Sequence, residues 1–177
     1  MIEPICGELF ATFMVNRGYS SSSAMYEAAK RIERRRYAIQ APRGNRYRPT
    51  TIIYLGDFDP SGEDMVRDIR DRLRLFKCED FVVDKLALNP DQIKKWNLPP
   101  NPLKSDGAGR LTDSRGAGFQ AEHGDESYEV DAIPPKDLQK MIRRAIMDHM
   151  DMDAYKAVLD EEAALTRKFK KAVAGIK

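Results

Sequence analysis

The sequence predicts an α/β fold: a mainly parallel sheet of about four strands flanked by helices, with a helical C-terminal extension. Three observations predict it. Apolar runs short enough for strands alternate with amphipathic stretches long enough for helices, and such units pair in parallel. The clearest run, Thr51, Ile52, Ile53, Tyr54 and Leu55, is β-branched and aromatic and stops at Gly56. The 177 residues, 42% hydrophobic and 33% charged, suffice for one buried core plus an appendage.

Each element has its own warrant. Residues 10–15 are an apolar run that predicts a first strand. The serines at 20–23 offer caps, and residues 24–39 are expected to be helical with Met25, Ala28, Ala29 and Ile32 inward. Residues 51–55 predict a strand buried on both faces. Past a tight turn at 57–62, Met65, Ile69, Leu73 and Phe76 recur every three or four residues, as an amphipathic helix requires. Residues 81–88 predict a second strand, and Asn89, Pro90 and Asp91 open a short helix to about Trp96. Residues 98–115 are rich in Pro, Gly, Asn and Asp and read as loop. Residues 127–132 predict a polar strand. Pro134 and Pro135 start a helix whose inward stripe is Leu138, Met141, Ile142, Ala145 and Ile146. A last amphipathic helix runs from about 154 to 173. Its stripe of Tyr155, Val158, Leu159, Leu165 and Phe169 is expected to pack against the domain or a partner chain, a second copy included. The alternation makes the sheet Rossmann-like, over residues 1–150, with residues 151–177 as the extension.

Composition excludes several classes. Thirty Lys and Arg against 28 Asp and Glu leave a net charge of +2, too little for a bulk field that advertises nucleic acid or membrane. Cys6 and Cys78 make no disulfide framework, so a cytoplasmic setting is expected. Two His and two Cys, scattered, do not make a structural zinc site. No apolar run approaches the roughly 18–20 residues that cross a bilayer. A metal here would be a hard cation held by carboxylates.

Residues 56–62 carry that possibility. Ligands of open parallel sheets collect beyond the carboxyl ends of strands, which is where Asp57 and Asp59 fall. Two residues apart on extended backbone, their side chains point the same way, and like charges so close call for a proton or a cation between them. Mg²⁺ suits such a pair, needing only one or two protein carboxylates and keeping water or phosphate oxygens elsewhere; Mn²⁺ is the natural substitute. The same residues also satisfy ordinary turn and N-cap chemistry. Asp57, Asp59, Ser61, Gly62 and Asp68 match part of a calcium loop, but a strand precedes them, Pro60 interrupts them and Asp64 stands where an apolar residue is wanted. A haloacid-dehalogenase-type phosphatase also places a nucleophilic Asp after a strand. Pro60 and the lack of downstream Lys and Asp-Asp partners leave that a minor alternative.

The segment from Tyr54 through Gly62 resembles the Asp-x-Asp-Pro-x-Gly signature of the Toprim domain, in the version of the topoisomerase VI A subunit and its relatives that initiate meiotic recombination. Residues 16–21, 111–115 and 128–134 also resemble a bacterial and phage branch of that group, so the likeness spans most of residues 5–150. The resemblance implies that Asp57 and Asp59 are the Mg²⁺ carboxylates of a site that breaks and rejoins, or hydrolyses, a DNA phosphodiester, topoisomerase or nuclease in type. A Toprim domain normally opens with a strand ending in a catalytic Glu. Glu3 and Glu8, the only early glutamates, do not follow such a strand, and the upstream tyrosine-bearing domain has no counterpart among these residues. The expectation is a truncated product or a fragment, inactive in isolation.

The remaining candidates concern DNA. Lys30, Arg31, Arg34, Arg35, Arg36, Arg43, Arg46 and Arg48 crowd into nineteen residues with Glu33 as the only acid and Tyr37 and Tyr47 interleaved. Such a cluster neutralises phosphates, although charge runs also make plain solvated faces. Arg17 is expected on the rim of Asp57, as a bidentate phosphate ligand and catalytic residue. Asp113, Ser114 and Arg115 end a loop where binding residues collect, with Arg115 as a DNA contact, or Asp113 caps the next helix. Glu129 and Asp131 alternate on the last expected strand, one of them toward the site. His123 and His149 read as surface or core histidines. The competing functional class is a non-catalytic module that keeps the fold and lends its surface to DNA or a protein.

Overall fold

The structure is a computed structural model that describes residues 2–15, 20–39 and 50–175. Its elements are α1 (Ile2–Glu8), α2 (Ser22–Ile39), β1 (Thr50–Leu55), α3 (Pro60–Leu75), β2 (Phe81–Ala87) and α4 (Pro90–Trp96). A two-residue β3 (Asn101–Pro102), α5 (Gly116–His123), a two-residue β4 (Glu126–Ser127), α6 (Pro135–Asp148) and α7 (Met152–Ala174) follow.

The centre is a strand–helix–strand unit. β1 and β2 pair in parallel from Thr50 opposite Phe81 to Tyr54 opposite Lys85, and a register shift then sets Leu55 opposite Ala87. Successive strand side chains point to opposite faces, and each face has its own core. Ile52, Tyr54, Phe81 and Val83 meet Met25, Ala29 and Ile32 of α2 and Met65, Ile69 and Leu73 of α3. Leu55 and Leu86 meet the other cluster, built from Ile5 of α1, Phe58, Phe119 of α5 and Leu138 and Ile142 of α6. Helices thus cover both faces of the parallel pair, which is how parallel strands bury their apolar surface.

The helices form where periodicity and caps coincide. Ser21 Oγ accepts the N–H of Ala24 at 3.1 Å and opens α2. Asp59 caps α3, with Pro60 in its first turn. Arg72 of α3 donates to the main-chain carbonyl of Ser20 and ties the two helices together at one end. Asn89 and Gln92 form a capping box on α4.

The sheet is smaller than the alternation predicts. Among the described residues the parallel sheet has two strands, not about four. Residues 11–15 have no regular structure, and Phe13, Met14 and Val15 are exposed. An apolar run becomes a strand only where a neighbour accepts its ladder of hydrogen bonds, and none lies beside this one among the described residues. Residues 127–132 divide: Glu126 and Ser127 pair antiparallel with β3, Tyr128 makes one bridge to Phe58, and Val130–Ala132 tighten into a 3₁₀ turn. β1, expected to be fully buried, is half-buried at all six positions, because β2 is its only strand neighbour among the described residues. Residues 98–115 are mostly loop, as expected, save β3 and a bridge between Ser105 and Leu111. Cys6 and Cys78 are both buried and are not joined in a disulfide. No helix among the described residues is long and apolar enough to cross a membrane.

Leu73 is fully buried between α3, α2 and β2. Leu73→Ala should cost about 2–5 kcal/mol through lost transfer energy and the residual cavity, read as a lower urea midpoint at unchanged slope. Leu75→Ala, two residues further on and 75% exposed, should stay within about 0.5 kcal/mol of the wild type.

Candidate functional site

Past Leu55 the parallel ladder continues for one more step: Gly56 N–H donates to Ala87 at 2.9 Å, and Leu88 N–H donates to Gly56 at 2.8 Å. The chain then leaves β2 and is caught from the other side. Phe58 N–H donates to the Tyr128 carbonyl at 2.8 Å, and Tyr128 N–H donates back at 3.0 Å. The Phe58 ring is buried against Phe119 and His123, at 5.3 and 5.0 Å between ring centres. With Phe58 inward, the alternation of extended backbone turns Asp57 and Asp59 together toward the opposite side. The spacing of two that pairs them in the sequence therefore acts through the aromatic residue between them.

Main-chain donors orient both carboxylates. Asp57 Oδ1 accepts the N–H of Val130 at 2.8 Å. Asp59 Oδ1 accepts the N–H of Gly62 at 2.6 Å and the Ser61 hydroxyl at 2.8 Å. Neither Oδ2 carries a hydrogen bond among the described residues. Gly62 is required by crowding: a Cβ there would lie 2.0 Å from the Asp57 carbonyl oxygen. At Gly56 the crowding is by a side chain: a Cβ there would sit 2.0 Å from the Tyr54 hydroxyl, so the far end of that ring would have to move.

The Tyr54 phenol is thereby laid over Gly56, half-buried, beside Asp57, Asp59 and Glu63. Burial first, and then the field of those three carboxylates, pushes its pKa up to about 12. Glu63 is paired with the Lys85 ammonium, and Lys85 also lies over the Phe58 ring at 5.3 Å. A second set of charges surrounds this one. The Arg115 guanidinium donates twice to Asp113, at 2.8 and 2.7 Å, and once to Asp64 at 2.9 Å; Asp64 also accepts from Arg67. Beside Asp59 opens a cavity of about 220 Å³, walled in part by Ser61, Lys104, Thr112, Asp113 and Ser127. It has room for an ion and its waters beside Asp59, while Asp57 is not part of its wall.

The donor set fits a hard cation of the Mg²⁺ type, which takes one or two carboxylate oxygens and fills the rest of its sphere with water or phosphate. It does not make a closed all-protein cage, for among the described residues no three or more His, Cys, Asp or Glu side chains group to hold a metal. The cap expectation also holds, since Asp59 caps α3 with one oxygen.

The other expected site residues are dispersed. Arg34 and Arg35 are exposed on α2, Arg35 donating to Thr12 Oγ1 at 2.5 Å. Arg17, Arg43, Arg46 and Arg48 lie outside the described residues, as does the side chain of Arg36. Arg115 follows the loop that walls the cavity beside Asp59, but its guanidinium is engaged by Asp113 and Asp64. Asp113 precedes α5 and accepts the N–H of Arg115 at 2.9 Å. Glu129 and Asp131, flanking Val130, are both exposed, and His149 is exposed at the end of α6. Sequence reasoning missed Tyr54, Glu63, Lys85 and Lys104 as neighbours of the pair. Tyr54 shares a strand face with Gly56, a signal present in the sequence. Lys85 stands opposite Tyr54 only through the β1–β2 register. No family model, curated protein or solved structure matches the chain.

Two outcomes follow from this geometry. Asp59→Ala should cost about 1 kcal/mol by loss of the α3 cap, and Asp59→Asn a few tenths, both from urea unfolding. Tyr54 titrates near 12 in the folded chain against an ordinary value of 10.0. Its contribution to stability is thus intact below about pH 10 and lost as the pH rises toward 12. Tyr54→Phe should flatten that part of the stability profile and remove from an ultraviolet titration a phenol that ionises above the ordinary range.

Proposed function

We propose that the chain supports Mg²⁺- or Mn²⁺-dependent phosphodiester chemistry on DNA, cleavage with rejoining or hydrolysis, as a Toprim-like domain of a topoisomerase VI A-like protein. One observation carries the reading: Asp57 and Asp59 flank an inward Phe58 at the carboxyl end of a parallel strand, each with an oxygen free of hydrogen bonds among the described residues. Bound there, the ion supplies charge neutralisation at a phosphate and a more acidic water. The chain's own residues do the rest. The N–H groups of Val130 and Gly62 hold the carboxylates in place, so little reorganisation accompanies binding. The Tyr54 phenol stays protonated at neutral pH and can donate a hydrogen bond. Lys104, in the wall of the adjoining cavity, offers a cation to a phosphate, and Arg17, outside the described residues, is the proposed phosphate ligand. Arg34, Arg35 and Arg36 of α2, with Arg43, Arg46 and Arg48 after it, are the proposed backbone contacts of a longer DNA segment.

A second reading, a non-catalytic module that binds DNA or a protein, is favoured by the structural work that Asp57 Oδ1 and Asp59 Oδ1 already perform as clamp and cap.

Calorimetric titration with Mg²⁺ and Mn²⁺ separates the two. Weak binding to the wild type, abolished in Asp57→Asn/Asp59→Asn, supports the metal site; identical isotherms for both proteins remove it. Charge reversal at Arg34, Arg35 and Arg36 should weaken duplex binding and lower the slope of log affinity against log salt by about 1 for each phosphate no longer neutralised. An unchanged slope returns that face to solvent.

A further inference from the structure

α7 is 23 residues long, about 34 Å at 1.5 Å per residue, and none of its residues is buried. Tyr155 marks where it leaves the domain: its hydroxyl donates to the Glu8 carbonyl at 3.3 Å and its ring meets Phe10 edge-on. Beyond that point the helix carries a seam with no cover. Positions 158, 162, 165, 169 and 172 are spaced four and three apart, the coiled-coil interval, and hold Val158, Glu162, Leu165, Phe169 and Ala172. Leu165 is 57% exposed and Phe169 70%, and Leu159 and Val173 widen the stripe. A helix with so much apolar surface in water gains little from propensity alone and needs a partner along that face.

The charges say which partner. Asp151, Asp153, Asp160, Glu161 and Glu162 occupy the first half, against Lys156 alone; Arg167, Lys168, Lys170 and Lys171 occupy the second half, with no acid. Two copies laid parallel would set acid on acid, base on base and Glu162 on Glu162 in one layer. Laid antiparallel, each acidic half meets a basic half, Val158 faces Phe169, Glu162 faces Leu165, and Glu161 flanks Lys168 twice by symmetry. Like-charge juxtaposition excludes the first arrangement and complementarity selects the second. We propose that α7 is a self-association element and that two copies of the chain pair through it in antiparallel orientation. The pairing does not depend on the metal or DNA reading.

Sedimentation equilibrium on the full chain at about 100 µM, where a micromolar complex is saturated, should give a dimer. Leu165→Asp/Phe169→Asp should give a monomer with unchanged circular dichroism from the domain, since neither side chain joins its cores. Glu161→Lys and Lys168→Glu should each weaken the dimer several-fold, and together restore it. Orientation is read by oxidation: a mixture of Val158→Cys and Phe169→Cys chains should cross-link between the two variants, while Val158→Cys alone should not link to itself. A monomeric wild type, a dimer that survives Leu165→Asp/Phe169→Asp, or self-linking of Val158→Cys would each overturn the proposal.

Discussion

The exchange of main-chain hydrogen bonds between Phe58 and Tyr128 is the constraint on which the rest of the site depends. It carries residues 126–130 across the carboxyl end of β1, buries the Phe58 ring in the core that α1, α5 and α6 share, and brings the Val130 N–H to Asp57. A chain leaving a parallel strand is otherwise free to turn in many directions. Here it is held on both sides, by β2 through Gly56 and by Tyr128 through Phe58. Asp57 and Asp59 inherit their common direction from that double restraint, not from any attraction between them.

Three carboxylates then stand together because each has a compensating charge or dipole close by. Asp57 has the Val130 N–H. Asp59 has the Gly62 N–H and the positive end of α3, the place along a helix where an anion is most welcome. Glu63, also in the first turn of α3, has the Lys85 ammonium. The Tyr54 phenol answers the remaining field by holding its proton. These compensations leave a carboxylate oxygen on each Asp for another positive group, which is why one arrangement serves both as a clamp of the fold and as a candidate cation site. Arg115, on Asp113 and Asp64, extends the pairing of charges outward and stiffens the loop that walls the adjoining cavity.

How much was legible differs by element. The helices α2, α3, α6 and α7 follow from three-to-four spacing and caps within their own residues, and Met25, Met65, Ile69, Leu73, Leu138 and Ile142 are inward as their spacing requires. The apolar runs at 10–15 and 127–132 were less legible, because a strand is completed by hydrogen bonds from somewhere else. The first found no neighbour among the described residues; the second found one bridge and then turned. At the site, the pairing of Asp57 with Asp59 was readable from their spacing, whereas Tyr54, Lys85 and Val130 join it across 3, 28 and 73 positions respectively, counted from Asp57.

By itself the sequence determined the local matters: where α2, α3, α6 and α7 start, which stripe each carries, that two aspartates follow an apolar strand, and that the last helix is acidic in one half and basic in the other. Those depend on neighbours within a turn or two, whose energies are set by backbone geometry. Only the tertiary structure decided that the parallel pair has helices on both faces, that Val130 clamps Asp57, that Lys85 answers Glu63, and that the apolar stripe of α7 lies uncovered. Each of these joins residues far apart in the chain, and closing so long a loop is decided by the packing of the whole, which no local pattern encodes.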